Sequence, residues 1–424
     1  MTQYLPRIAD RELDELLPSL PAIALEGPKG VGKTETALRR AQTVRQLDDP
    51  VQREVAEADP VRFLSGPKPL LVDEWQRMPA LWDAVRRAVD ARAAPGSFLL
   101  TGSASPATAP THSGAGRIVS LRLRPLTLSE RGLDTPTVSL ASLLAGTQPP
   151  VEGTTRIGLA DYVHELVRSG LPGLRGYAGR ALRSQLDGYL RRLIDTDFTE
   201  QGHPVRRPEA LQRWLAAYAA ATAGTASWET IRDAATGGQN DKPSRSATQP
   251  YRDVLERLWI LDPVPAWLPG HNQLNRLSQP AKHHLADPAL AVRLLGLDAD
   301  ALLAGREAGP PVPRDGSLLG LLFESLVTLC VRVCAQAAEA QVKHFRQLGG
   351  RREVDLIVER ADQRILALEV KLGATVEDED VRHLNWLRGQ LGGELLDAAI
   401  IHTGPEAYRR KDGIAVIPAA LLGP

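Results

Sequence analysis

A glycine-rich run between residues 27 and 34 has the residue types and the spacing that bind phosphate groups. Its members fit the pattern G-x-x-x-x-G-K-[ST] and are Gly27, Pro28, Lys29, Gly30, Val31, Gly32, Lys33 and Thr34. Glycines let the backbone curl so that successive N–H groups point at phosphate oxygens, and the lysine adds a positive charge. We therefore expect ATP here, with Lys33 on its β- and γ-phosphates and Thr34 on a Mg²⁺ ion.

Two later segments carry the other groups that ATP hydrolysis needs. An apolar stretch ends in Asp73 and Glu74; we expect the first carboxylate to orient the Mg²⁺ shell and the second to polarise the attacking water. Another apolar stretch ends near Thr101 and Ser103, whose hydroxyls are candidates for a sensor beside the γ-phosphate. A chance glycine loop and a surface Asp-Glu pair are the alternative, but three strand-ending motifs in this order argue against it.

Hydrolysis also needs a cation that offsets the negative charge of the transition state. Arg117, which follows a loop rich in Ser, Thr, Ala, Pro and Gly, is the best-placed candidate in the sequence. Its alternative is an ordinary surface charge. Whether Arg117 acts in its own subunit or in a neighbouring one stays open.

A second set of charged residues lies near the C-terminus. Alternation over residues 352–371 predicts a β-hairpin that places Asp355 opposite Glu369, with Lys371 on the same face. Carboxylates held in this way can bind Mg²⁺ for phosphodiester cleavage, and a lysine can position the attacking water. Glu324, on a predicted apolar helix, is placed to reach the same metal. The alternatives are a surface ion-pair cluster and, for Glu324, a solvated helix glutamate.

The elements that position these residues predict an α/β protein. Short apolar runs alternate with helical patterns over residues 21–105, which is typical of buried parallel strands covered by helices. Residues 159–297 are mainly helical, and residues 228–261 are similar to a helix-turn-helix with a wing strand. The predicted organisation is a P-loop ATPase domain at 1–150, a helical, winged-helix-like domain at 151–304, a linker at 305–315 and a second α/β domain at 316–424.

Composition narrows the class of protein. No stretch approaches the roughly 20 apolar residues that span a bilayer, and no signal peptide is visible, so we expect a cytoplasmic protein without membrane contact. Lys plus Arg number 51 and Asp plus Glu number 51, so any contact with DNA must come from local patches. Cys330 and Cys334 are four residues apart on a predicted helix, which favours packing over zinc binding.

Taken together, the motifs resemble those of the AAA-type ATPases of bacteria and archaea that carry a C-terminal domain of unknown function with a restriction-endonuclease-like PD-(D/E)xK core. The resemblance spans nearly the full length and rests on residues 27–34, 72–79, 99–104, 124–130, 189–197 and 320–324, and on the Asp355 to Lys371 pattern. It implies ATP and Mg²⁺ as cofactors, a winged-helix middle, and Asp355, Glu369 and Lys371 as nuclease residues with Glu324 as the helix acid. The chain departs from this pattern at Lys29-Gly30, where Arg-Gln is expected.

Three functions follow as hypotheses. The first is an ATPase with a Mg²⁺-dependent nuclease-like domain that acts on or near DNA. The second is an ATP-dependent regulatory switch that binds a protein partner or self-associates, with a non-catalytic nuclease-like domain. The third is a DNA-binding module that uses Arg245, Arg252 and Arg257, although a neutral net charge weakens it.

Overall fold

The first domain is built on a five-stranded sheet in the order β2-β3-β4-β1-β5. The computed structural model describes residues 4–103, 115–236, 244–268, 279–304, 318–347 and 351–424, so the predicted linker 305–315 lies outside the described residues. The strands are β1 Ala22–Glu26, β2 Thr43–Gln46, β3 Leu70–Asp73, β4 Phe98–Gly102 and β5 Val119–Arg122; the helices are α1 Ile8–Leu16, α2 Lys33–Leu38, α3 Pro50–Ala58, α4 Pro60–Phe63 and α5 Ala80–Asp90. All four strand pairs are parallel. The predicted α/β domain is confirmed.

Both faces of this sheet are buried, which explains its continuous apolar runs. Alternate residues of β1 pack into different clusters: Ala22 and Ala24 lie on the side that contains α5, whereas Ile23 and Leu25 lie on the side that contains α1. Because parallel strands share a direction, the residues that follow β1, β3 and β4 meet at one edge. The phosphate-loop motif and both strand-ending motifs are therefore brought together by the sheet.

The middle of the chain is helical, as the sequence predicts. Its helices are α6 Leu140–Leu144, α7 Leu159–Arg168, α8 Gly179–Arg192, α9 Phe198–Glu200, α10 Pro208–Ala220, α11 Trp228–Ala234, α12 Arg245–Arg257, α13 Pro288–Leu294 and α14 Ala299–Leu303. Between α8 and α9, residues Leu193–Asp197 form a turn of π-helix. Leu182, Leu186 and Leu190 form the buried face of α8.

The last part of the chain carries a seven-stranded mixed sheet in the order β7-β12-β13-β11-β10-β9-β8. Its elements are α15 Leu318–Ala337, β8 Gln341–Arg346, β9 Glu353–Glu359, β10 Ile365–Val370, α16 Arg382–Leu391, β11 Leu395–His402, β12 Glu406–Arg409 and β13 Ala415–Pro418, together with β7 Gly153–Thr154 from earlier in the chain. Helix α15 covers one face, and α16 covers the other. The region is α/β, as the sequence predicts.

Packing crosses the boundary that the sequence suggests at residue 150. Strand β6, Val138–Ser139, pairs with the terminal strand β14, Leu422–Gly423. Strand β7 pairs with β12 and so joins the C-terminal sheet, whereas β6 and β14 form a separate two-stranded sheet. Residues on both sides of position 150 therefore pair with the last part of the chain. A single apolar cluster also joins the middle helices to α15 and to one face of this sheet. The middle and C-terminal regions therefore share a core.

Helix α15 corrects one expectation about apolar stretches. Among the described residues it alone is long and apolar enough to cross a membrane, with 20 residues and a mean hydropathy of 2.0. However, 78% of its apolar window is buried inside the protein, so it is a core helix between the C-terminal sheet and the middle helices. Cys330 and Cys334 are free and buried on it, which confirms their packing role.

Candidate functional site

The phosphate loop has a backbone that needs glycine at two positions. Gly27 has a φ of +151°, and a Cβ there would lie 2.2 Å from the Leu123 carbonyl oxygen. Gly32 has a φ of +99° and precedes the first residue of α2. Because side chains at these positions would clash or strain the backbone, the loop keeps the tight curl that points N–H groups inward.

Lys33 is held against the loop by its own ammonium group. Its Nζ donates hydrogen bonds to the carbonyl oxygens of Gly27 at 2.8 Å and Pro28 at 2.9 Å. Burial lowers the pKa of Lys33 to about 8, although the nearby charges of Glu74 and Asp73 act in the opposite direction. A phosphate anion at this position would favour the charged ammonium.

Asp73 connects the loop to the neighbouring strands. Its Oδ1 accepts a hydrogen bond from the Thr34 hydroxyl at 2.9 Å and another from the Thr101 hydroxyl. Asp73 and Thr101 are paired residues of the neighbouring strands β3 and β4, which brings their side chains into contact. A hydroxyl and a carboxylate in contact are oxygen ligands of the kind that Mg²⁺ prefers, so these residues fit the ion. Thr101 is 1% exposed and orients Asp73, which differs from the expected sensor position beside the γ-phosphate.

Glu74 is held by two neighbours at the edge of the same site. The Ser103 hydroxyl donates to its Oε1 at 3.1 Å, and the Gln76 amide donates to its Oε2 at 2.5 Å. Its backbone adopts a φ of +57°, in the left-handed region that is rare for residues other than glycine. Both Glu74 and Ser103 line the cavity, so of the two candidate sensor hydroxyls Ser103 is the one that faces this space.

These residues line a cavity of about 460 Å³ that the first domain does not form alone. Its walls include Gly30, Gly32, Lys33, Thr34, Glu74 and Ser103, together with the N-terminal Tyr4, Leu5 and Arg7 and the middle-region Pro172 and Gly173. Arg7 is buried and donates from Nη1 to the Val31 carbonyl at 2.8 Å and from Nε to Glu130 at 3.2 Å. Sequence reasoning missed Arg7 because no motif surrounds it.

Lys29 points away from this cavity and towards the middle of the chain. Its ammonium lies 2.5 Å from Asp197 and 3.4 Å from Glu200, and the Tyr189 hydroxyl donates to its carbonyl at 3.3 Å. Burial alone would lower the pKa of Lys29, but the hydrogen bond and charge of Asp197 outweigh it and raise that pKa. The Lys29 side chain, at the position where the chain departs from the expected loop pattern, does not line the cavity, and a contact of this residue with the nucleotide stays a prediction. Lys29 forms an ion pair with Asp197 of the π-helical turn.

Arg117 lies at the wrong edge of the sheet to act on the nucleotide of its own subunit. It precedes β5, whose Val119 pairs with Ile23 near the start of β1, whereas the phosphate loop follows the end of β1. A strand of this length separates the two edges by about 10–13 Å. Its Nε bonds Asp90 at 2.8 Å at the end of α5. This position weighs against the in-subunit alternative, which the sequence leaves open, and the role of Arg117 as a catalytic cation stays a prediction.

The C-terminal hairpin has the register that the sequence predicts. Residues 356–359 of β9 pair antiparallel with 365–368 of β10, which continues to Asp355 beside Glu369. The Val370 N–H donates to Asp355 Oδ2 at 2.9 Å, and Lys371 Nζ donates to Glu369 Oε1 at 3.1 Å. Asp355, Glu369 and Lys371 therefore gather at one end of the hairpin.

A fourth charged residue, Lys282, changes the meaning of this cluster. Its Nζ lies 2.8 Å from Glu324, 2.9 Å from Asp355 and 3.2 Å from Glu353. Among the residues that the structure describes, no group of three or more His, Cys, Asp and Glu is arranged to hold a metal ion. The expected Mg²⁺ ligands Glu324 and Asp355 are instead bonded to an ammonium group. The sequence does not predict these contacts of Lys282, because Lys282 is 42 residues from Glu324 and 73 from Asp355.

Burial changes the protonation of the carboxylates around Lys282. It raises the pKa of Glu324 to about 8, an effect that the negative charge of Asp355 reinforces. Burial and the charge of Asp355 also raise the pKa of Glu369 well above its usual range. The pKa of Lys282 is raised: burial would lower it, but the surrounding carboxylates prevail. The pKa of Asp355, in contrast, is lowered, because the charge of Lys282 outweighs the effect of burial. At neutral pH these shifts favour protonated Glu324 and Glu369 and an ionised Asp355.

Glu324 gives a test of this protonation through the pH dependence of stability. A carboxyl group whose pKa is higher in the folded state stabilises the fold below its unfolded pKa of roughly 4.5, and this stabilisation is lost as the pH rises through about 8. We expect the unfolding temperature of the wild type, relative to Glu324→Gln, to fall between these values. Thermal melts of both proteins at half-unit steps from pH 5 to 9 measure it. A constant difference across this range would contradict the raised pKa.

The winged-helix prediction is only partly matched by the middle region. Helices α11 and α12 are followed by antiparallel bridges of Leu261 with Leu285 and Val264 with Lys282, and the predicted break at 237–238 lies outside the described residues. Of the three arginines proposed for DNA contact, Arg245 is exposed, but the guanidinium of Arg252 stacks 4.9 Å from the Trp228 ring centre and Arg257 is half-buried. They do not form one exposed basic face.

Comparisons with known proteins find similarity in all three parts of the chain. Residues 19–131 match an AAA domain, residues 159–301 match a domain of unknown function (DUF8612), and residues 319–422 match another (DUF4143). Uncharacterized proteins of Mycobacterium bovis and Mycobacterium tuberculosis are each 26% identical over 97% of this chain and 83% of their own length. A Walker-type ATPase of Pyrococcus abyssi aligns over 69% of this chain and 96% of its own, with 15% identity and a TM-score of 0.39. The AAA match contains the phosphate loop and both strand-ending motifs, so the first domain is similar to AAA domains at the motif residues that line the cavity.

Proposed function

We propose that this protein is a Mg²⁺-dependent ATPase that uses its nucleotide to change the contact between the first domain and the helical middle region. The observation that carries the proposal is the cavity in which Lys33, Thr34, Glu74 and Ser103 face the same space. An AAA-type domain around this cavity supports ATP as the nucleotide.

Each residue has a distinct role in the proposed reaction. Lys33 and the loop N–H groups bind the β- and γ-phosphates, and Thr34 with Asp73 would hold Mg²⁺, which neutralises charge on the phosphate oxygens when bound. Glu74 accepts a proton from the attacking water, because its carboxylate is held at the cavity edge by Ser103 and Gln76. Ser103 is the proposed sensor of the γ-phosphate. Its hydroxyl is hydrogen-bonded to Glu74, so a contact of Ser103 with the γ-phosphate would affect the position of the Glu74 carboxylate.

Loss of the Lys33 ammonium tests nucleotide binding. Lys33→Ala removes a charged contact to phosphate, so we expect ATP affinity to fall about 10- to 100-fold. Isothermal titration with ATP and Mg²⁺ measures the dissociation constant, and Lys411→Ala, an exposed lysine of the C-terminal region, is the matched control. Unchanged affinity in a folded Lys33→Ala protein would refute the site.

The middle region is placed to respond to the nucleotide. Pro172 and Gly173 form part of the cavity wall, and Lys29 of the phosphate loop is paired with Asp197 on the π-helical turn. A π-helical turn inside a helix is a feature that often accompanies functional sites. A change in the phosphate loop on ATP binding would therefore move the Lys29 carbonyl and ammonium, and with them the turn at 193–197. This supports the regulatory-switch hypothesis, in which the changed surface binds a partner protein in the cytoplasm.

Substitution of Lys29 separates this coupling from binding. We expect Lys29→Met to keep ATP affinity within about threefold, because the side chain is paired with Asp197 and does not line the cavity. Hydrogen–deuterium exchange should show that ATP slows exchange at residues 189–200 in the wild type and in Lys29→Arg, but not in Lys29→Met. Equal protection in all three proteins would mean that the pair does not transmit the nucleotide state.

Action on DNA has weaker support. Asp355, Glu369 and Lys371 share one end of the hairpin, as a PD-(D/E)xK nuclease would need, but Lys282 is bonded to two of the acids of the cluster. The arginines of the winged-helix-like segment do not make one basic surface. Of the hypotheses, the ATP-dependent switch with a non-catalytic C-terminal domain therefore fits the contacts better than the nuclease.

A further inference from the structure

Lys282 places its ammonium group inside the C-terminal acid cluster, which is formed by Glu324, Glu353, Asp355 and Glu369. An ammonium group has three N–H donors and no acceptor. Lys282 Nζ donates hydrogen bonds to Glu324 and Asp355 and lies 3.2 Å from Glu353 in an ion pair, and the residue is 1% exposed. The ammonium is therefore a buried cation with three acidic neighbours.

Backbone hydrogen bonds hold Lys282 in place, which keeps its ammonium group close to the acids of the cluster. Its N–H and carbonyl both bond Val264 at 2.9 Å, and the nearby Pro280 carbonyl accepts from the ring of His344 on β8 at 3.0 Å. The segment 280–285 is thus tied both to the end of the middle region and to the edge of the C-terminal sheet. These backbone contacts keep the positive charge of Lys282 at a defined position in the cluster.

Binding of a divalent metal ion to the acid cluster beside Lys282 would be energetically unfavourable. It would have to lose its water and lie beside an ammonium group in a buried site, where like charges repel strongly. The acids would also have to give up their bonds to Lys282. The residues of the cluster therefore do not fit a metal ion as long as Lys282 is present.

We infer that Lys282 is the built-in cation of the C-terminal acid cluster, so that the domain binds no divalent metal and joins the middle region to the C-terminal sheet instead of cleaving phosphodiesters. Without the ammonium, three carboxylates and Glu369 would be left together. Glu369 Oε2 is buried and has no hydrogen-bond partner among the described residues, which makes it a free acceptor. The same acids should thus become a metal site when Lys282 loses its charge.

The experiment titrates Mn²⁺ into the nucleotide-free, full-length protein and follows free Mn²⁺ by electron paramagnetic resonance. In the wild type we expect no cluster-dependent site tighter than about 1 mM, so Asp355→Asn leaves the titration unchanged. In Lys282→Met we expect one additional site that is at least about tenfold tighter. That additional site should disappear in Lys282→Met/Asp355→Asn. Lys343→Met, which removes the lysine of the Lys343–Glu359 ion pair on β8, is the matched control and should gain no site.

Two outcomes would overturn the inference. One is a Mn²⁺ site in the wild type that Asp355→Asn removes; the other is a folded Lys282→Met protein that gains no site. If Lys282→Met does not fold, the wild type and Asp355→Asn still decide the matter, because equal titrations support the inference and unequal ones refute it. Cleavage of supercoiled DNA by the wild type with Mn²⁺, lost in Asp355→Asn, would refute it as well. None of these results depends on ATP turnover, which is measured separately.

Discussion

Glu74→Gln is expected to leave ATP bound and to slow its hydrolysis by about 10²- to 10⁴-fold. Glutamine preserves the shape of the side chain but cannot accept the proton of the attacking water, and a positioned general base contributes roughly this factor. The amide also replaces an oxygen that accepts a hydrogen bond from Ser103 or Gln76. Steady-state phosphate release measures the turnover rate, and isothermal titration of ATP measures the dissociation constant in the same preparation.

The control for Glu74 is an acidic residue of the same domain that faces solvent. Glu57→Gln, on α3, removes an exposed carboxylate and should change neither quantity. Ser103→Ala should fall between the two, because Glu74 would keep its charge and lose one of two contacts that orient it. If Glu74→Gln hydrolyses ATP at the wild-type rate, the proton must be accepted elsewhere and the role of Glu74 is lost.

The nucleotide site could be predicted from the sequence because its parts are local. Each motif follows a short buried strand, and parallel strands bring their ends to one edge whatever the rest of the chain does. Lys33, Thr34, Asp73 and Glu74 therefore needed only the strand pattern and the strand direction to be placed together. The C-terminal hairpin was predictable for the same reason, since a short turn fixes the register that brings Asp355 to Glu369.

The contacts that change the functional interpretation are not local. Lys29 meets Asp197 across 168 residues, and Lys282 meets Asp355 across 73. Single charged residues carry no pattern that predicts a partner at such a distance, because their pairing depends on how whole domains pack. Arg117 shows the limit of a local motif: its position after a loop suggests a catalytic cation, but strand direction places it at the edge of the sheet opposite the phosphate loop of its own subunit. Local motifs thus predict where chemistry is set up, and the packing determines which of it is used.

The sequence alone does not identify helix α15 as a core helix. Helix α15 is apolar along its whole length because both the C-terminal sheet and the middle helices pack against it. Glu324 and Arg332 are the two charged residues of this helix, and each is bonded to a residue from another part of the chain. A helix buried on all sides lacks the polar face that would distinguish it in sequence from a membrane span.

Arg332 belongs to a charged junction that connects all three parts of the molecule. Asp262, in the middle region, lies 2.9 Å from Arg124 and 3.1 Å from Arg122 of the first domain, and 2.8 Å from Arg332 of α15. Burial opposes ionisation of Asp262, but the three guanidinium groups outweigh it and hold its pKa far below the usual range. Asp262 is thus a buried anion that three cations share.

Asp262→Asn is expected to be the most destabilising single substitution at this junction. It removes the only carboxylate among the four groups and leaves three buried guanidinium groups close together, and loss of one partner of a buried ion pair costs about 3–5 kcal/mol. The midpoint of the first urea-unfolding transition, followed by tryptophan fluorescence, should fall, since Trp259 lies against Arg122. Asp362→Asn, at an exposed carboxylate that also contacts two arginines, should leave the midpoint unchanged. Equal midpoints for the wild type and Asp262→Asn would mean that the ion pairs of this junction contribute nothing to the stability of the fold.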